Sequence, residues 1–172
     1  MKKIMKLLPL ILYPYAYLLL FVFAMIDLPD ELMILSDVWP ILVLIYHIYV
    51  IVFVVYNVVS NVRKETNAYE LAKTNLLIKG LQIPAYIINF LLGMSGMAFL
   101  VVGGIGLIMM MIIVDLISIG LTGIHSIACS IRMRKEGMLS NAAFVFMGIG
   151  CFVYCIDVII AIVYFVRAKK RR

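Results

Sequence analysis

Apolar residues run along this chain in blocks too long for a soluble core, and polar residues gather in short segments between them. About 20 apolar residues cross a bilayer as a helix. The blocks therefore predict five spans, at Leu7 to Ile26, Trp39 to Ser60, Leu81 to Val102, Leu107 to Ile131 and Asn141 to Val166. The expected fold is all-α, a polytopic transmembrane helical bundle forming a single membrane domain over 1–172.

The punctuation of the pattern sets the boundaries. The first block is longer than the apolar part of a secretory signal, and no small-x-small cleavage site follows it, so a retained span is expected. Asp27 to Asp37 carries Asp27, Asp30, Glu31 and Asp37 without Lys or Arg. Asn61 to Gly80 holds Arg63, Lys64, Lys73 and Lys79 and reads as a polar connection, where the spacing of Tyr69, Ala72 and Leu76 allows a short helix on the membrane surface. Residues 81–131 run for twice the length of a span, and Gly103-Gly104-Ile105-Gly106 divides them with glycines suited to the positive φ of a tight hairpin. A basic loop, 132–137, precedes the last block, and Arg167-Ala168-Lys169-Lys170-Arg171-Arg172 follows it.

Composition removes the soluble alternatives. The chain is 66% hydrophobic and 14% charged, with a mean hydropathy of +1.14. A net charge of +6 would suggest nucleic acid in a soluble protein. Here Lys and Arg sit between apolar blocks, where they set topology and meet anionic lipid headgroups. A cytoplasmic N-terminus keeps Lys2, Lys3, Lys6, the four cations of 61–80 and the three of 132–137 inside, leaving only the tail on the wrong side. The alternative is a re-entrant last block, broken near Gly148 and Gly150. Cys129, Cys151 and Cys155 fall inside apolar blocks and form no disulfide framework.

The candidate chemistry lies in intramembrane polar groups. Asp115 and Asp157 each cost about 2.5–3.5 kcal/mol at the centre of a span, and no Lys or Arg lies within the predicted spans to neutralise them. Asp115, Ser118, Thr122 and His125 share one helical face, as do Cys151, Tyr154, Asp157 and Tyr164. Tyr46, Tyr49, Phe53, Tyr56 and Ser60 form an aromatic stripe with His47 and Asn57 beside it. A rise of 1.5 Å per residue sets His47, Asp115 and Asp157 all roughly 12–16 Å from the outer end of their spans. Asp115, Asp157, His47, Ser118, Thr122 and Tyr154 are thus the candidate ligand or ion site, an acidic layer for a proton, a cation or a cationic solute. The alternative is that both carboxyls are protonated and donate hydrogen bonds to neighbouring helices. Gly93 and Gly96, with Gly120 and Gly123, allow close approach of the third and fourth spans.

Other chemistry is discounted. Gly93-Met94-Ser95-Gly96 resembles the nucleophile string of intramembrane serine proteases, but Ser95 lies roughly 14 Å down its helix and His125 roughly 31 Å down the next. His125 and Cys129 lack a second metal-ligating pair. No zinc or phosphate-loop motif occurs, so no enzyme, cofactor or metal is expected.

Three stretches carry a resemblance. They are Ala72-Lys73-Thr74-Asn75-Leu76-Leu77-Ile78-Lys79 with Ile83-Pro84-Ala85-Tyr86, then Asp115 through Leu121-Thr122-Gly123, and Arg134-Lys135-Glu136-Gly137-Met138-Leu139-Ser140 with Asp157-Val158-Ile159. They resemble a group of small bacterial membrane proteins of unknown function, which implies that Asp115 and Asp157 belong to the group's pattern. The expected function is a small transporter or channel of a bacterial cell membrane, in contact with lipids and able to form a homo-oligomer. The second expectation is an accessory or immunity-type protein acting through helix contacts with a larger membrane partner.

Overall fold

The computed structural model describes residues 7–25, 33–64, 66–98 and 104–171. The N-terminal lysines, the acidic residues Asp27, Asp30 and Glu31, and Gly103 lie outside them.

Six helices account for the regular structure of the described residues: α1 Leu8–Met25, α2 Met33–Arg63, α3 Ala68–Ala98, α4 Gly104–Lys135, α5 Asn141–Gly150 and α6 Ile156–Lys170. Three of them are long and apolar enough to cross a membrane, Val38–Arg63 within α2 together with α3 and α4. The all-α class stands. The five-span pattern is replaced by these helices at two places.

The first is the connection at Asn61 to Gly80. Only a short turn follows Arg63, and α3 then runs unbroken from Ala68 past Gly80 to Ala98. Asn75, Lys79, Gln82, Tyr86 and Asn89 recur along it at steps of four, three, four and three, and all are buried. One helical face gathers them. Reading Lys79 as a loop residue missed that the stripe continues across the apparent boundary.

The second is the last block. Residues 151–155 interrupt it, and Cys155 has φ +64°, a left-handed backbone that stops α5 from continuing into α6. At 10 residues α5 is about 15 Å long, half the thickness of a hydrocarbon core.

α3 and α4 form the most extensive interface, antiparallel in register. Ala68 N–H donates to Glu136 Oε1, Asn75 meets Ser126, Lys79 meets Thr122 and Asn89 meets Asp115. A Cβ on Gly96 would stand 2.9 Å from the Gly104 carbonyl, so this end of the hairpin does require glycine, whereas Gly120 has open space.

α5 and α6 pack against that pair as a hairpin that enters and leaves at one end. Gly137, at φ +69°, closes α4: its N–H donates to the Arg134 carbonyl and Met138 N–H to the Met133 carbonyl, a Schellman pattern. Ser140 then caps α5 by accepting from Ala143 N–H. The hairpin tip reaches Gly123, where Cys151 and Phe152 pack. α6 returns, placing Ala168 in a cluster with Ala68, Leu71, Ala72, Met133 and Leu139, and Arg171 donates to the Glu136 carbonyl. The start of α3, the end of α4, the start of α5 and the end of α6 therefore share one end of the bundle. Every described Lys and Arg except Lys79 lies at this basic end.

α1 packs across α2, α3 and α4 near its Pro14. Proline cannot donate to the carbonyl four residues back, which is Leu10. Gln82 Nε2 fills the role, donating to that carbonyl at 2.8 Å, and Tyr46 donates to the adjacent Pro9 carbonyl.

The interior holds polar groups beside its apolar clusters, and large aliphatic side chains cover much of the outside. Lys79, Asp157, Asn75, Gln82 and Thr122 are buried, while Ile45, Val52, Ile87, Phe90, Leu116 and Ile159 are exposed. Polar groups thus face in and large aliphatic groups face out, the arrangement that a hydrocarbon solvent favours.

Candidate functional site

Lys79 on α3 reaches the junction of the hairpin tip with α4. Its Nζ lies 2.6 Å from Asp157 Oδ2 and donates to Thr122 Oγ1 at 2.9 Å. Lys79 is 0% exposed and Asp157 1%. Asp157 occupies the first turn of α6, where the positive end of the helix dipole favours a negative charge. The break at 151–155 is what puts a helix start, and so a carboxylate, deep in the bundle.

Thr122 and its neighbours are fixed by their own helix. Ser118 donates to the Val114 carbonyl, Thr122 to the Ser118 carbonyl and Ser126 to the Thr122 carbonyl, each one turn back. Thr122 thereby keeps a lone pair toward Lys79. Tyr86 hydroxyl donates to Gln82 Oε1 at 3.0 Å, and its ring centroid lies 5.9 Å from that of Tyr154.

Depth follows from the helix rise. Lys79 lies eleven residues beyond Ala68, or about 16 Å from the basic end, and Asp157 lies eleven residues before Ala168. The two counts agree. Asn89 Nδ2 donates to Asp115 Oδ1 at 2.6 Å, one pair further along, about 15 Å beyond Lys79.

The six residues named from sequence divide accordingly. Thr122 and Asp157 meet at the ion pair. Ser118 lies one turn from Thr122 and bonds within α4. Asp115 stands at another level with Asn89, so the two acids do not form one layer. Tyr154 is exposed on the helix break, with its ring beside that of Tyr86. His47 is elsewhere: its Nδ1 lies 2.5 Å from the Tyr13 hydroxyl and 3.0 Å from that of Tyr17, between α1 and α2. The expectation of acids without an internal base is corrected by Lys79, whose charge neutralises Asp157. Asn75, Gln82 and Asn89 were also missed, and their helical spacing was the available signal.

Neighbouring groups complete the polar core. Ser126 donates to Asn75 Oδ1 at 2.8 Å, and Ser130 pairs with the Tyr164 hydroxyl at 2.6 Å. Among the described residues, Asn75 Nδ2, Asn89 Oδ1 and His125 Nδ1 are buried without a hydrogen-bond partner. Ser95 donates to the Leu92 carbonyl on an exposed face, while His125 is buried near the basic end. No group of three His, Cys, Asp or Glu side chains gathers among the described residues in a way that could hold a metal.

Fold and site define the class: an all-α chain with helices able to cross a membrane, polar in its interior and centred on a buried lysine–aspartate pair. It belongs to the family of unknown function DUF6652, whose model matches residues 3–171. The match leaves out only the first two residues and the last. No curated protein and no solved structure matches it.

Proposed function

We propose that this protein is a non-enzymatic integral membrane protein, a small proton- or cation-coupled transporter of the cell membrane whose coupling element is the Lys79–Asp157 pair. The observation that carries this is the ion pair at the break of a re-entrant hairpin. Interrupted helices at mid-membrane depth place helix ends and charged groups where a solute or proton can be exchanged. Intramembrane ionisable pairs are expensive unless they do such work. Asp115, Ser118, Thr122 and Tyr154 would line the way to the pair from the end opposite the basic one.

In this arrangement α1 to α4 cross the bilayer, and α5 and α6 dip in and return. All described basic residues other than Lys79 then fall on one side, and the positive-inside tendency favours a cytoplasmic position for that side, with the start of α3 and the end of α6. A C-terminal green fluorescent protein fusion should fluoresce, and a C-terminal alkaline phosphatase fusion should be inactive. The reverse result would remove the re-entrant topology.

The functional test is proton flux. The full chain in liposomes containing a pH-sensitive dye should acidify the lumen under an inside-negative potassium diffusion potential. Asp157→Asn should lower the rate at least tenfold with elution and helical content unchanged. Equal rates in the variant and the original chain would defeat the coupling role.

A second reading is favoured by one observation: Asp157 and Asp115 both have partners inside the chain. Both would then hold helices together, and the protein would be an accessory or immunity-type component. It predicts no flux and co-purification with a larger membrane protein.

A further inference from the structure

A cavity of about 700 Å³ opens at the basic end between α2, α3 and the start of α1 and runs inward to His125 on α4. It has three kinds of wall. Tyr49, Phe53 and Tyr56 form an aromatic side, with the Tyr49 and Phe53 rings 6.0 Å apart. Ser60, Asn61, Thr66 and Thr74 supply hydroxyl and amide groups, Lys64 supplies a cation and Glu70 a carboxylate. His125 lines the cavity as well; it is 2% exposed, and its Nδ1 is the buried nitrogen without a partner among the described residues.

A buried imidazole nitrogen left unbonded is unfavourable, and a ligand hydroxyl would satisfy it. The ligand must also suit the charges at this end, where Lys64 in the lining and Arg63 and Lys73 nearby outnumber the Glu70 carboxylate and so select an anion. The volume is far too large for a single small ion. The aromatic wall continues into the exposed aliphatic strip of α2, including Ile48, Val52, Val55 and Val59. A molecule satisfying all of these features has an anionic, hydroxyl-bearing head and an apolar tail.

We infer that this cavity is a binding site for an anionic phospholipid with free headgroup hydroxyls. Its phosphate lies at Lys64 with the Ser60 and Thr66 hydroxyls, its headgroup hydroxyl hydrogen-bonds His125 Nδ1, and its acyl chains follow the outer strip of α2. The site is distinct from the Lys79–Asp157 pair, although His125 lies one turn from Thr122 on α4.

Native mass spectrometry of the full-length, delipidated protein in detergent, titrated with phosphatidylglycerol, tests this. One phosphatidylglycerol should bind at least tenfold more tightly than phosphatidylcholine. His125→Phe and Lys64→Gln should each weaken it at least fivefold. Thr74→Val, on the half-buried wall, should weaken it about twofold and guards against a folding defect in the histidine variant. Millimolar inorganic phosphate should not displace the lipid. Equal binding of the two lipids, unchanged binding in Lys64→Gln and Thr74→Val, or displacement by inorganic phosphate would each overturn the assignment, the last by making the site one for free anions.

Discussion

Lys79→Met alone should destabilise the bundle by about 3–5 kcal/mol, because it leaves the Asp157 carboxylate buried without its counter-ion. Asp157→Leu alone should cost a similar amount by stranding the ammonium. The double variant Lys79→Met/Asp157→Leu should recover most of that loss, since a well-packed apolar pair of similar volume is about neutral relative to a buried ion pair. Thermal unfolding of the purified full chain in detergent micelles checks all three. A double variant as unstable as the two single losses added together would mean that the pair is not the coupled unit its 2.6 Å separation describes.

Gly123→Val is expected to have the second largest effect. A Cβ at this position would stand 2.7 Å from the Phe152 ring and 3.0 Å from the Cys151 carbonyl oxygen. The ring is part-exposed and can swing aside, but the carbonyl belongs to the hairpin tip and moves only with it. Overpacking of this kind costs about 1–3 kcal/mol, and it should also lower proton flux by displacing Asp157 from Lys79. Gly120→Ala is the control. Nothing lies within 4 Å of its Cβ position, so relief of the glycine penalty in a helix should leave stability unchanged or raise it by up to about 1 kcal/mol. Equal unfolding temperatures for the two variants would show that the hairpin tip does not press on α4.

Much of the architecture was legible because apolar block length and helical period are strong, local signals. The helical class, the α3–α4 hairpin, the shared face of Asp115, Ser118 and Thr122, and the close approach at Gly96 followed from spacing alone. What failed was the assumption that a cation marks the edge of a span. Lys79 is tolerated inside because Asp157, 78 residues away in sequence, is brought to it by the hairpin. No local window contains that pairing. The common layer of His47, Asp115 and Asp157 failed for a related reason: depths counted from guessed span ends carry the error of every boundary. The antiparallel register moves Asp115 one pair along, and the α1–α2 contact takes His47 to a separate tyrosine cluster.

The short re-entrant hairpin also constrains how the chain can be assembled. With the bundle in a bilayer, as proposed, neither α5 nor α6 is long enough to settle across it alone, and the bent segment between them has backbone groups that lipid cannot satisfy. A newly made chain must therefore complete the α3–α4 pair before α5 and α6 find a stable place. Until then Lys79 waits without its counter-charge, so the segment made after α4 is the part that closes the interior.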